Sequence, residues 1–98
     1  MKDTNQYELM VIIKPMLPEN VRMGVESKIT EVLESADGNV ENVDIWGKKH
    51  LAYKLKGHQE GYYIIYSFTT SPEEIESIEK SLKLNKEILR YLLINNSK

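Results

Sequence analysis

No cysteine occurs among the 98 residues. That excludes disulfides, thiolate metal sites, iron–sulfur clusters and thiol nucleophiles. Histidine is scarce, with 2 copies, so a histidine-based metal or catalytic centre needs both of them plus carboxylates. No apolar run exceeds five residues, as in Leu9 to Ile13, against the roughly 18 that a membrane span requires. The opening Met1-Lys2-Asp3-Thr4 lacks the apolar stretch of a secretion signal, so the expected location is cytoplasmic. An excess of one charge is missing too: 13 Lys+Arg face 15 Asp+Glu, for a formal charge of -2. A generally basic nucleic-acid binder is thereby excluded, and any such binding must rest on a local patch.

What is present is ordinary globular material, 41% hydrophobic and 29% charged. The length predicts one domain over 1–98, with short polar ends at 1–5 and 95–98. Tyr7 to Ile13 reads as a strand, with Tyr7, Leu9, Val11 and Ile13 on one face and Glu8, Met10 and Ile12 on the other. Val21, Val25, Ile29, Val32, Leu33 and Ala36 recur at helical spacing and predict a helix over 18–36. Pro18 and Glu19 suit its first turn, and Gly38 suits the C′ position beyond its end. Gly24 weakens that helix by about 1 kcal/mol relative to Ala.

Asn39 to Leu55 carries two strand-like pieces, with Gly47 between them as an expected bulge or bend. Gly57-His58-Gln59-Glu60 reads as a turn. Gly61 to Thr69, aromatic and β-branched throughout, is the strongest strand pattern. Within it Tyr62, Ile64, Tyr66 and Phe68 are assigned to the core, and Tyr63 and Ile65 to the other face with Met10 and Ile12. Ser71-Pro72-Glu73-Glu74 reads as a capping box that opens a second helix bearing Ile75, Ile78 and Leu82. Glu87 to Ile94 reads as the last strand, although its leucines also permit helix. The order β-α-β-β-α-β, with right-handed crossovers, predicts an α+β, ferredoxin-like sandwich. Its four-stranded antiparallel sheet runs 4-1-3-2, with both helices on one face and the second strand at an edge.

Catalytic chemistry has little to build on. His50 and His58 flank a short hairpin segment without a nucleophile at diagnostic spacing, and Glu60 is near His58 only in sequence. No phosphate loop, zinc helix motif or nucleophile elbow is present. An acylphosphatase-like domain of this architecture needs an Arg-plus-Asn cradle, and the arginines are Arg22 and Arg90 alone. Glu73, Glu74, Glu76 and Glu79 read as the acidic start and exposed face of a helix. The bases are segregated: residues 47–58 hold Lys48, Lys49, Lys54, Lys56 and both histidines without an acid, and residues 80–90 hold Lys80, Lys83, Lys86 and Arg90 against Glu87. Such clusters neutralise phosphates even on an acidic domain, although charge runs also serve simply as solvated surface. Glu60 to Ser67 matches the third-strand signature of an RNA-recognition motif at its Gly, first aromatic and one aliphatic. It fails at the basic, small and later aromatic positions, so base stacking on the open sheet face is disfavoured.

Gly47-Lys48-Lys49-His50-Leu51-Ala52-Tyr53, followed by Gly61-Tyr62-Tyr63, resembles the signature of the bacterial small-subunit ribosomal protein six family. Leu82 to Tyr91 and the opening Tyr7-Glu8-Leu9-Met10 with Pro15 are similar to that family as well, so the resemblance spans roughly residues 5–95. It implies a ferredoxin-like, non-enzymatic ribosomal component without a cofactor, metal or small-molecule substrate and without a membrane. It further implies binding to the central domain of 16S ribosomal RNA as a heterodimer with small-subunit protein eighteen. Lys49, His50, Lys80, Lys83 and Arg90 then fall at positions basic in the family, and Lys48, Lys54 and Lys56 extend the same patch toward RNA. Trp46, Gly47, Leu51 and Tyr53 fall on the partner side. His50 stands where Arg is common, which removes a bidentate phosphate contact.

Overall fold

The structure is a computed structural model and describes residues 4–96. The expected polar ends at 1–5 and 95–98 therefore lie partly outside the described residues. Strand β1 (Asn5–Ile13) is followed by helix α1 (Glu19–Ser35), strands β2 (Asn39–Leu55) and β3 (His58–Thr70), helix α2 (Ile75–Lys83) and strand β4 (Ile88–Asn95). The strands form one sheet in the order β2-β3-β1-β4, and every pairing is antiparallel. This is the predicted ferredoxin-like sandwich. β1 is central, paired with β3 and β4, and its end (Val11, Ile12, Ile13) is buried on both faces.

The core lies between the sheet and the two helices. β1 contributes Tyr7, Leu9, Val11 and Ile13, and β3 contributes Ile64, Tyr66 and Phe68. α1 adds Val25, Ile29 and Leu33, four residues apart and hence on one stripe, and α2 adds Ile78 and Leu82. Each such side chain is worth about 1.5–3 kcal/mol when fully buried. Tyr7 and Phe68 are cross-strand partners, and their rings stack with centroids 5.6 Å apart. Two buried hydroxyls tie α1 to the sheet. Thr70 donates to the Ala36 carbonyl at 2.8 Å, and Tyr66 donates to the Glu26 carbonyl at 3.2 Å.

Four local expectations are corrected. Asn39–Leu55 is one strand, broken in register at Val40/Asn42, Ile45/Gly47 and His50/Leu55. Gly47 takes a φ of 82° at the middle break, the backbone shape that a bulge asks of glycine. The hairpin turn is Lys56-Gly57, not Gly57–Glu60: Leu55 pairs with His58, and φ is 48° at Lys56 and 84° at Gly57. Positive φ at both central residues is the primed turn whose twist matches the flanking strands. Beyond α1 it is Asp37 that turns left-handed, with φ 56°, and not Gly38. Gly38 instead donates its N–H to the Leu33 carbonyl at 2.9 Å, so close that a Cβ would collide with that oxygen. Finally, Ser71 does not cap a helix with its side chain. Its hydroxyl is buried without a hydrogen bond, and Pro72–Glu74 form a 3-10 turn before α2 begins.

The far half of the β2–β3 hairpin does not continue in the plane of the sheet. Leu51, Ala52, Tyr53 and Leu55 meet Met10, Ile12, Tyr63, Arg90 and Leu92 across the open face, leaving a cavity of about 210 Å³. Ile12 is buried beneath this flap, and a Cβ at Gly61 would run into its side chain. The open face carries the expected Met10, Ile12, Tyr63 and Ile65, and Tyr63 is partly covered rather than free to stack.

Candidate nucleic-acid interface

The chain crossings gather the bases at one end of the sandwich. Ile13 pairs with Tyr62 and Ile88, and Tyr62 pairs with Lys48, so one cross-sheet row marks this end. The hairpin carrying Lys54 and Lys56 lies beyond the row. α2 runs toward it, which brings Lys80 and Lys83 into its last turn there, and Lys86 follows in the loop. In that loop the Asn85 side-chain oxygen accepts the Glu87 N–H at 2.9 Å, and the Glu87 carbonyl accepts the Lys14 N–H at 3.0 Å. These bonds fix where β4 starts, and hence where Arg90 sits.

The acids gather at the opposite end: Glu34 near the end of α1, Asp37 and Glu41 around the start of β2, Glu73 and Glu74 after β3, and Glu8 early in β1. Among the described residues the hairpin end also holds the carboxylates Glu19, Glu60 and Glu87, and Glu26 beside Arg22. The near balance of charge thus conceals a molecule with one basic and one acidic pole.

At the basic pole the predicted residues differ in what they contact. Lys48 and His50 both approach Glu60, at 3.9 Å each, so one carboxylate lies beside an ammonium and an imidazole. Glu60 is therefore the cross-strand neighbour of His50 and not a companion of His58. These are exposed pairs worth about 0–1 kcal/mol. Lys49 pairs with Gly61 and so lies on the open face, its ammonium 5.8 Å from the centre of the Trp46 ring. Trp46 donates its indole N–H to Asp44 at 2.9 Å and stays half exposed on the edge strand. Arg90 also faces the open side, where it donates to the Tyr53 hydroxyl at 3.3 Å. Lys49, Lys54, Lys56, Lys80 and Lys83 have no carboxylate within ion-pair distance among the described residues.

The bases share an end but not a face. Lys80 and Lys83 belong to the helix layer, whereas Lys49 and Arg90 lie on the open side of the sheet. The expected partner residues divide as well. Trp46 and Tyr53 are exposed, Gly47 shapes the bulge, and Leu51 is half-buried in the flap. Sequence reasoning missed Arg22 here. Its guanidinium lies 4.6 Å from the centre of the Tyr62 ring, on the helix side of the basic end. The i,i+4 spacing of Arg22 and Glu26 was the available signal, since it places the pair on one side of α1.

The residues weighed for catalysis are spread apart among the described residues. Arg22 and Arg90 lie on opposite faces of the sheet and do not converge on one phosphate cradle. No group of three or more His, Asp or Glu among the described residues is placed to hold a metal ion. No helix among them is long and apolar enough to cross a membrane.

The strand order and the packing of both helices define a small ferredoxin-like protein with a cation-rich end. The family model for Ribosomal protein S6 matches residues 6–95. The chain is 37% identical over 89 residues to the small ribosomal subunit protein bS6 of Symbiobacterium thermophilum, covering 91% of this chain and 94% of that one. It is 39% identical over 88 residues to bS6 of Paenarthrobacter aurescens, covering 90% and 87%. The crystal structure of 30S ribosomal protein S6 from Thermotoga maritima superposes with a TM-score of 0.91 at 25% identity, covering 96% and 89%. The chain belongs to the ribosomal protein S6 family.

Proposed function

We propose that the chain is a non-catalytic structural component of the small ribosomal subunit, acting in assembly and translation in the cytoplasm. It binds the central domain of 16S ribosomal RNA together with small-subunit protein eighteen, and it needs no cofactor, metal or small-molecule substrate. Family membership supports the ribosomal setting. The observation that carries the RNA reading is the segregation of charge: cations collect at the hairpin end, and acids at the other. Phosphate contact at that end falls to Lys48, Lys49, His50, Lys54, Lys56, Lys80, Lys83 and Arg90.

The partner reading rests on the β2 edge. An unpaired edge strand presents free backbone donors and acceptors, and this one also exposes Val43, Ile45, Trp46 and Tyr53. Trp46, Gly47, Leu51 and Tyr53 form its partner side. Because the domain is anionic overall, its patch alone grips RNA weakly, and a basic neighbour completes the surface. Titration of a labelled central-domain RNA fragment, with and without protein eighteen, tests this. The expected result is affinity tighter by roughly tenfold or more with the partner. Equal affinity in the two arms overturns the joint surface.

A further inference from the structure

Arg22 is held in place but under-used. Its guanidinium stacks 4.6 Å from the centre of the Tyr62 ring. Its Nε lies 3.5 Å from a Glu26 carboxylate oxygen, yet that N–H is buried without a hydrogen bond. Among the described residues no other acceptor takes its remaining donors. A guanidinium offers five donors in a planar fork, and leaving them unpaired in a partly desolvated place is costly. The side chain is 27% exposed, so one edge is open to an incoming group.

The neighbours indicate what that group is. Lys48 is the cross-strand partner of Tyr62, so its side chain leaves β2 on the same helix-side face. Its side chain is half exposed, and its ammonium shares Glu60 with His50. Tyr62 thus has the Arg22 guanidinium over its ring and Lys48 as its cross-strand neighbour. A planar fork suits two oxygens of one phosphate, and a flexible ammonium adds charge beside it. An apolar or cationic ligand would leave both groups unmet.

We propose that Arg22 and Lys48, spaced by the Tyr62 ring, form a phosphodiester-binding site on the helix side of the basic end, distinct from the open-face group of Lys49 and Arg90. The site rests on the RNA-binding reading above and extends it to a second face, so that RNA backbone contacts both sides of the β2 edge. Stacking on Tyr62 pre-orients the guanidinium, which lowers the ordering cost of the contact.

The test is a salt titration of the complex with protein eighteen on a central-domain RNA fragment. It compares the parent chain with Arg22→Gln, Arg22→Lys and Arg90→Gln, and urea midpoints report folding. For Arg22→Gln the expected outcome is weaker binding and a log–log salt slope lower by about 1. Arg22→Lys is expected to keep the parent slope while binding less tightly, because the charge stays and the planar fork is lost. Parent affinity and slope in Arg22→Gln, with Arg90→Gln weakened, overturn this site and leave the RNA reading standing. A lower urea midpoint with an unchanged slope makes Arg22 a structural residue and also overturns the site. If the parent complex binds no RNA, both readings fail together.

Discussion

The Arg90 guanidinium donates to the Tyr53 hydroxyl at 3.3 Å, although the strands that carry these residues occupy opposite edges of the sheet. The contact exists because the end of β2 leaves the sheet plane and leans over Ile12, Tyr63 and Leu92. A phenol, unlike a carboxylate, orients the guanidinium without neutralising it. Arg90→Gln is therefore expected to lower the salt slope of RNA binding by about 1. Tyr53→Phe is expected to change stability by less than about 0.5 kcal/mol, since the bond is exposed. Salt titrations and urea melts measure the two effects. A large stability loss in Arg90→Gln with an unchanged slope would make the contact only a hairpin tether.

Glu60 is the carboxylate that restrains the patch, because Lys48 and His50 both approach it. Glu60→Gln keeps the side-chain length and frees Lys48 for phosphate. RNA affinity is expected to rise at low salt, with a slope steeper by up to about 1. Stability is expected to move by less than about 1 kcal/mol, in line with the weak energetics of exposed ion pairs. Unchanged affinity would place this part of the hairpin off the RNA.

The turn at Lys56-Gly57 stores a defined strain. Gly57 sits at φ 84°, so Gly57→Ala is expected to cost about 1–2 kcal/mol. Lys56 tolerates φ 48° less well than Asn does, and Lys56→Asn is expected to gain roughly 0.5–1 kcal/mol. Urea midpoints report both shifts, with m-values unchanged for a native-state effect. Lys56→Asn also removes a cation, so greater stability together with weaker RNA binding would separate the two roles of this residue.

These positions mark where sequence reasoning stops. Period-2 burial of Tyr7, Leu9, Val11 and Ile13, and the spacing of Val25, Ile29 and Leu33, were readable because buried faces impose it. The edge position of β2 followed from two right-handed crossovers. The turn was misplaced because Lys carries no sign of a left-handed backbone, and Gly57 alone is compatible with either position. Gly38 was assigned a dihedral role when its actual constraint is the close approach of the Leu33 carbonyl. The flap over Ile12 depends on contacts among Leu51, Leu55, Tyr63 and Leu92, which no local pattern encodes. The basic clusters were visible as charge. Their division between two faces, the pairing of Glu60 with His50, and the stack of Arg22 on Tyr62 are tertiary facts between residues distant in the chain.

Tyr66 makes stability fall at alkaline pH. Its ring is fully buried, and its hydroxyl donates to the Glu26 carbonyl. Burial first, and then the nearby Glu26 charge, push the phenol well above its ordinary value of 10.0. Below pH 10 the phenol is neutral in both the folded and the unfolded chain, so the full stability is present. Above that pH the unfolded chain loses the proton while the folded chain keeps it. The unfolded state then binds fewer protons, and unfolding becomes easier by up to about 1.4 kcal/mol per pH unit. Burial and the neighbouring Glu79 push the Tyr91 phenol up as well, so it adds to the slope, and the fully buried Tyr66 is expected to contribute the larger part. In Tyr66→Phe the lost hydrogen bond is expected to lower stability at pH 8 by about 1 kcal/mol. The same variant is expected to lose less stability than the parent between pH 10 and pH 11.5, so the two curves converge. Urea midpoints across that range measure the convergence. Parallel curves would mean that the Tyr66 phenol ionises in the folded protein as readily as in the unfolded chain.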